Sequence, residues 1–182
     1  MTTDSENLLG PTMRSAKGNV PQSIKDSLAE WYSGAADLHR FAAPIARRLE
    51  ATEMSVYDKT EEPGKKEAKM VFEIDVTEDM CNFGNSVHGG CSAFLIDLCS
   101  SLAISLLATQ EPKRNVHVHV SLVLNTTYHA PAPLGCRLKI VNTTMALGGR
   151  VMTARAEIYD ITHNRLVASG VHIKMPPSAP KL

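Results

Sequence analysis

The run Gly89–Ala108, GGCSAFLIDLCSSLAISLLA, sets the architecture. Nearly every position in it is apolar or small, and no continuous polar face emerges. A helix that is hydrophobic all round must be buried on all sides. One small sheet cannot surround a helix. The sheet must therefore wrap around it, or a partner must cover what the sheet leaves open. The apolar part, Ala93–Ala108, is interrupted by Asp97 and three serines and reads as too short to span a bilayer, so no membrane insertion is expected.

Just upstream, Met80–Asp97 reads MCNFGNSVHGGCSAFLID, so His88-Gly89-Gly90 leads straight into the helix. A helix start offers unpaired N–H groups at the positive end of its dipole, and glycine lets another group approach that backbone closely. The N–H groups of Gly89 and Gly90 are thus candidates to hold a carbonyl oxygen that gains charge. The simpler reading is punctuation at a helix start. Asp97 is the only charged residue between Gly89 and Gln110. A buried carboxylate is costly unless it is paired or chemically employed. It is either satisfied by Ser100 and Ser101, three and four positions on, or a base or nucleophile of tuned acidity.

His88 and Asp97 are nine positions apart, which puts them roughly 180° apart around the helix and about 13 Å apart along it. They cannot serve one carbonyl from the same helix. If both serve one reaction, Asp97 meets the helix start of a second subunit, and a two-fold dimer holds two shared sites.

The segment Asn115–Tyr128 alternates. Val116, Val118, Val120, Leu122 and Leu124 share the parity expected to face the core, and His117, His119, Ser121, Asn125 and Thr127 share the other. A polar face among strong β-formers suits a strand that lines a dimer seam or a site, where Ser121 would orient Asp97 or a water. His117-x-His119 lacks a third ligand, so no metal is expected. Cys91 sits in the helix's first turn, where a thiolate is favoured, but no base with an orienting third group accompanies it.

Around this centre the chain reads as strands at Glu50–Tyr57 and Lys69–Val76, then the helix, then strands at Val116–Tyr128, Gly135–Thr144, Val151–Ile161 and Leu166–Met175. Short joints between consecutive strands predict an antiparallel meander. Residues 1–20 are expected to form a poorly ordered tail. Residues 21–43 should be a helical extension broken near Gly34 and again at Pro44, with Ser23 and Asp26 as a capping box. The domain proper spans 44–175, and 176–182 is a tail.

The chain has 182 residues, enough for one domain with a tail, and 19 basic against 19 acidic side chains. That balance lacks the basic field of a nucleic-acid binder, and its weak self-repulsion suits an oligomer. The four cysteines form no CxxC pair and read as free thiols in a reducing compartment. Asp4 and Glu6, with no apolar segment behind them, speak against a secretory leader. A cytoplasmic location is expected, with the mitochondrion as the alternative.

Taken together, Asn82-x5-His88-Gly89-Gly90, Asp97, Ser121-Leu-Val-Leu-Asn125-Thr-Thr-Tyr128 running through Pro131 to Leu134-Gly135, and Ala168-Ser-Gly170-Val-His172-Ile-Lys174 resemble the PaaI-like hotdog thioesterases. The likeness is greatest to their eukaryotic acyl-CoA thioesterase branch and covers residues 44–175. It implies an α+β hotdog fold, a curved antiparallel sheet wrapped around one long helix. It also implies acyl-CoA hydrolysis without a cofactor, by dimers that commonly pair into tetramers. Asn82 and the Gly89 N–H would polarise the thioester carbonyl, and His88 would support that loop. Asp97 of the neighbouring subunit would activate water or attack directly, with that subunit's Ser121 positioning it. Gly90, Arg150, His172 and Lys174 are the candidates for the CoA moiety, although solvated surface charge explains the cations equally well. A non-catalytic acyl-CoA-binding or scaffold role is the alternative from another class.

Overall fold

In a computed structural model that describes residues 8–36, 41–111 and 119–177, the alternating segments become six strands. They are β1 (Glu50–Asp58), β2 (Lys66–Asp75), β3 (Val120–Tyr128), β4 (Arg137–Leu147), β5 (Met152–Asp160) and β6 (Arg165–Met175), with helix α4 (Gly89–Ala108) between β2 and β3. His117, the first seven residues and most of the expected C-terminal tail lie outside the described residues.

All neighbours in the sheet are antiparallel, in the order β1-β2-β4-β5-β6-β3. The expected meander therefore fails at β3. That strand pairs with β6, for example Asn125 with Val171 and Tyr128 with Ala168, while β4 lies against β2, with Phe72 opposite Ile140. α4 is the reason: it carries the chain from β2 across the sheet to its far edge, and β3 starts there.

α4 packs against β2, β4, β5 and β6, burying Leu95, Ile96, Cys99, Leu102, Ala103 and Leu106. At 20 residues it is long and apolar enough to cross a membrane, contrary to the length argument from Ala93–Ala108. It instead acts as the core helix, with 67% of its apolar window buried inside the domain. Nor is it covered on every side within one protomer. Cys91, Phe94, Asp97, Leu98 and Ser101, spaced three and four apart, form a half-buried stripe.

The expected N-terminal tail is corrected for residues 8–20. Leu9–Ser15 form helix α1, with Leu9 and Met13 fully buried against the rest of the core. Helix α2 (Gln22–Ala36) runs through Gly34 without a break, and Pro44 opens helix α3 (Ala43–Arg47) instead of ending one. The capping box is not formed: Ser23 lies inside α2, and Asp26 accepts from the Gln22 amide at 3.0 Å.

Residues 12–19 cover the β1 edge of the sheet. The Lys17 N–H donates to Thr52 O, Met54 N–H to Lys17 O, and Ala51 N–H to Thr12 Oγ1. The Asn19 side chain meets both the N–H and the C=O of Val56, each at 2.8 Å. Gly18 is required there, since its φ is +115° and a Cβ would stand 2.1 Å from Met54 O. Among the described residues nothing covers the β3 edge, and Val120, Leu122, Val123 and Tyr128 on it are exposed.

A bulge in β3 changes which residues face the helix. The β3–β6 register shifts between Ser121 and Val123, so Ser121 stands opposite Lys174 and Leu124 opposite His172. An extra residue reverses the alternation of a strand. Ser121 therefore turns toward α4 together with Leu124, while Val120 and Leu122, expected in the core, are 44% and 50% exposed. Parity alone placed this strand's first half backwards.

Candidate active site

The loop before α4 folds into a small hairpin. Cys81 bridges Val87, Asn82 N–H donates to Ser86 O, and His88 N–H to Met80 O. Asn85, at a φ of +51°, makes the turn. The segment after β3 anchors it, through Val87 N–H to Ala132 O and Leu134 N–H to Asn85 O. The Asn82 Oδ1 accepts from Gly84 N–H at 2.9 Å and from Ser86 N–H at 3.4 Å. An amide whose oxygen is held this way presents its NH2 outward as a donor.

His88 is the N-cap of α4, with extended backbone, and its Nδ1 accepts the Gly90 N–H at 2.9 Å. Gly90 is thereby removed from the expected pair of oxyanion donors, and its N–H is equally occupied as a contact for CoA. The Gly89 N–H has no acceptor among the described residues. One backbone donor remains, at the positive end of a 20-residue helix. Tyr128, to which its motif gave no role, donates its hydroxyl to Gly89 O at 3.0 Å and fixes this turn.

Beside the helix start lies an apolar cavity of about 500 Å³, bounded by Phe41, Ile45, Met80, Cys91 and Phe94 next to His88 and Gly90. Phe41 and Phe94 meet edge to face at 5.6 Å. Burial, helped by the nearby Asp79 charge, pushes the Cys91 thiol up to about 11, so it stays protonated at neutral pH and lines the wall.

Asp97 is less enclosed in the protomer than a polar residue in an apolar helix suggested, its side chain being 44% exposed. Ser100 and Ser101 do not satisfy its carboxylate. The Ser101 hydroxyl donates to its backbone carbonyl at 2.6 Å, and the Ser100 hydroxyl lies 3.3 Å from that carbonyl but closer, at 2.7 Å, to His172 Nδ1. The Asp97 Oδ1 instead accepts from Ser121 Oγ at 3.1 Å and lies 3.2 Å from His172 Nε2.

His172 and Lys174, the sequence candidates for the CoA moiety, stand behind Asp97. They do share one face of β6, but it is the inner face: His172 is 0% and Lys174 6% exposed. His172 joins Ser100 Oγ through Nδ1 at 2.7 Å and Ser121 Oγ through Nε2 at 2.8 Å. Lys174 Nζ donates to Ser101 Oγ at 2.8 Å and to Ser121 Oγ at 3.3 Å. Burial and the neighbouring Lys174 charge hold His172 down to about 4 against the opposing pull of Asp97, so the ring is neutral at pH 7. Burial also lowers the Lys174 ammonium. Spacing along β6 identified the shared face but carried no sign of which way it turned.

The two halves stand apart on one chain, with Asn82, His88 and Gly89 at the helix start and Asp97, Ser121, His172 and Lys174 more than two turns along. Arg150 is exposed in the β4–β5 turn. That turn borders Leu107 and Gln110 at the opposite end of α4, roughly 30 Å from its own Gly89. Among the described residues no cluster of His, Cys, Asp or Glu could hold a metal.

The model of the thioesterase superfamily matches residues 84–167, from the loop before α4 into β6. Human acyl-coenzyme A thioesterase 13 is 30% identical over 106 residues, covering 58% of this chain and 71% of that protein. This chain belongs to the thioesterase superfamily. The resemblance to its PaaI-like hotdog members extends through the fold. The zebrafish thioesterase superfamily member 2 superposes with a TM-score of 0.65 at 23% identity, over 85% of this chain and 98% of that one. A hypothetical thioesterase from Streptococcus pneumoniae, solved with coenzyme A, gives 0.56 at 17% identity, over 73% and 91%.

Proposed function

We propose that this thioesterase hydrolyses a fatty or aryl acyl-CoA to the free acid and CoA, at sites shared between two protomers. The observation that carries this reading is a divided one. An unpaired Gly89 N–H beside an apolar cavity and a half-exposed, hydrogen-bonded Asp97 lie too far apart to meet on one chain. The human relative's name and the coenzyme A held by the pneumococcal structure support the substrate class.

In the proposed reaction the acyl chain lies in the cavity of one protomer, and the thioester oxygen accepts from Gly89 N–H and the Asn82 amide. A water held by the partner subunit's Asp97 attacks the carbonyl carbon and gives its proton to that carboxylate. The tetrahedral oxyanion is stabilised at the helix start. It collapses with cleavage of the C–S bond, and the proton passes from Asp97 to the departing thiolate. The carboxylate is regenerated and no cofactor is consumed. The open β3 edge, with exposed Val120, Leu122 and Val123, supports pairing of two chains there, and a dimer of dimers would cover further surface. Four free thiols, two of them buried, suit the cytoplasm or the mitochondrion.

Release of free thiol from acyl-CoAs of graded chain length tests the reading. Turnover in the wild type, and its loss in Asp97→Ala with the oligomer intact, is expected. An Asp97→Ala protein as active as the wild type overturns the mechanism, and saturable binding without turnover assigns the chain to the non-catalytic alternative.

A further inference from the structure

We propose that His172 and Lys174 are positioning residues that lock the Ser121 hydroxyl as a donor to Asp97, so that Ser121 acts on the substrate only through that carboxylate. This rests on the thioester-hydrolysis reading above and gives His172 and Lys174 a role that neither the sequence motif nor the CoA assignment contained.

The direction of each hydrogen bond follows from what each group can do. An ammonium only donates. Ser101 Oγ and Ser121 Oγ therefore accept from Lys174, at 2.8 and 3.3 Å. Ser101 sends its own proton to the Asp97 backbone carbonyl at 2.6 Å. The tautomer of His172 is decided by Asp97 Oδ1, 3.2 Å from Nε2. A carboxylate is acceptor-only, and an unprotonated Nε2 would set one lone pair against another. The neutral ring therefore carries its proton on Nε2, and Nδ1 accepts from Ser100 Oγ at 2.7 Å. That Nε2–H points at Ser121 Oγ, 2.8 Å away.

Ser121 Oγ thus receives two hydrogen bonds, from His172 and from Lys174, and a hydroxyl has two lone pairs and one proton. Its proton goes to Asp97 Oδ1 at 3.1 Å, and nothing is left with which to hold a water or a thioester. Oδ1 is engaged by the Ser121 hydroxyl at 3.1 Å, leaving Oδ2 as the oxygen that faces the reacting water. The chain Ser100–His172–Ser121–Asp97 runs one way, with Lys174 closing the remaining lone pair. Such oriented supports behind a reacting group fix its geometry without touching the substrate.

Two measurements test this. The first is the 15N shift pattern of the His172 ring in the wild-type protein at pH 7, which needs no variant. A neutral ring protonated at Nε2 is expected; an Nδ1–H tautomer or an imidazolium overturns the proposal. The second is a double-mutant cycle in kcat between Lys174→Met and Ser121→Ala. Loss of a hydrogen bond to a charged group predicts that Lys174→Met alone lowers kcat about 10- to 100-fold with KM unchanged. In the Ser121→Ala background the same change is expected to alter kcat by less than about 2-fold. Additive losses, or a raised KM with kcat intact as a CoA contact would give, overturn it. Absence of acyl-CoA turnover in the wild type overturns the functional reading beneath it, a result distinct from either of these.

Discussion

Tyr128 stands against Gly89 from β3, with its hydroxyl on the Gly89 carbonyl at 3.0 Å and its ring 3.3 Å from where a Gly89 Cβ would be. The Gly89→Ala side chain would press on that ring and shift the one unpaired N–H. Removing a single oxyanion donor costs about 100- to 1,000-fold in other hydrolases. Gly89→Ala is expected to lower kcat at least about tenfold while the fold survives. Tyr128→Phe keeps the ring and loses the hydrogen bond, worth about 1 kcal/mol, so its effect should be smaller. Thiol-release kinetics beside thermal melts check both, and an unchanged kcat in Gly89→Ala would count against the donor role.

A shared site makes a counting prediction. Asn82→Ala and Asp97→Ala should each be nearly inactive alone. Mixed by unfolding and refolding together, half of the dimers combine the two, and each of these has one intact site of its two. Recovery of about a quarter of wild-type activity is expected from that two-fold arrangement. Mixtures that regain nothing would show that both residues serve one site from the same chain.

His172 links the site to acid stability. Its folded pKa, about 4, lies below the ordinary imidazole value of 6.5. Between those values the unfolded chain binds a proton that the native chain refuses, so stability rises with pH across that window. The contribution is complete above about pH 6.5 and is lost as pH falls toward 4, on the order of 1–3 kcal/mol. Urea midpoints at pH 7 and pH 4.5 should differ less in His172→Gln than in the wild type. An equal difference in both would assign the acid sensitivity elsewhere.

The amino-terminal segment is predicted to be part of the folding unit. Met13 is fully buried, and truncating a buried methionine to alanine costs about 2–5 kcal/mol. Met13→Ala should lower the urea midpoint accordingly, whereas a tail would tolerate the change without effect.

Much of the fold was legible because it is local. The all-round apolarity of Gly89–Ala108 and the alternation of β1, β2, β4, β5 and β6 are properties of short windows, and their limits fell within a few residues. What escaped depends on distant partners. Pairing of β3 with β6 across some 45 residues has no local signature, and neither has the bulge at Ser121–Val123, which exposes Val120 and Leu122. Asn82, Gly89 and Asp97 could be picked from their motifs and from the cost of a charge in an apolar helix. His172 and Lys174 were legible as a pair on one strand face, and only the turn of β6 toward α4 shows them behind Asp97. Residues 1–20, rich in small and polar types, read as a tail; the buried Leu9 and Met13 tie residues 8–20 to the core.

The two sheet borders are unlike, and the difference limits growth. Thr12, Lys17 and Asn19 already occupy β1's outward hydrogen-bonding groups, while β3 presents its own. A ribbon with two sticky margins can add chains without end, the route by which sheets turn into fibres. In the proposed dimer, strand-to-strand union would consume the β3 margin of each participant and leave the strapped β1 borders outermost. In that arrangement the amino-terminal strap would act as a chain terminator for β-assembly and hold such pairing at two.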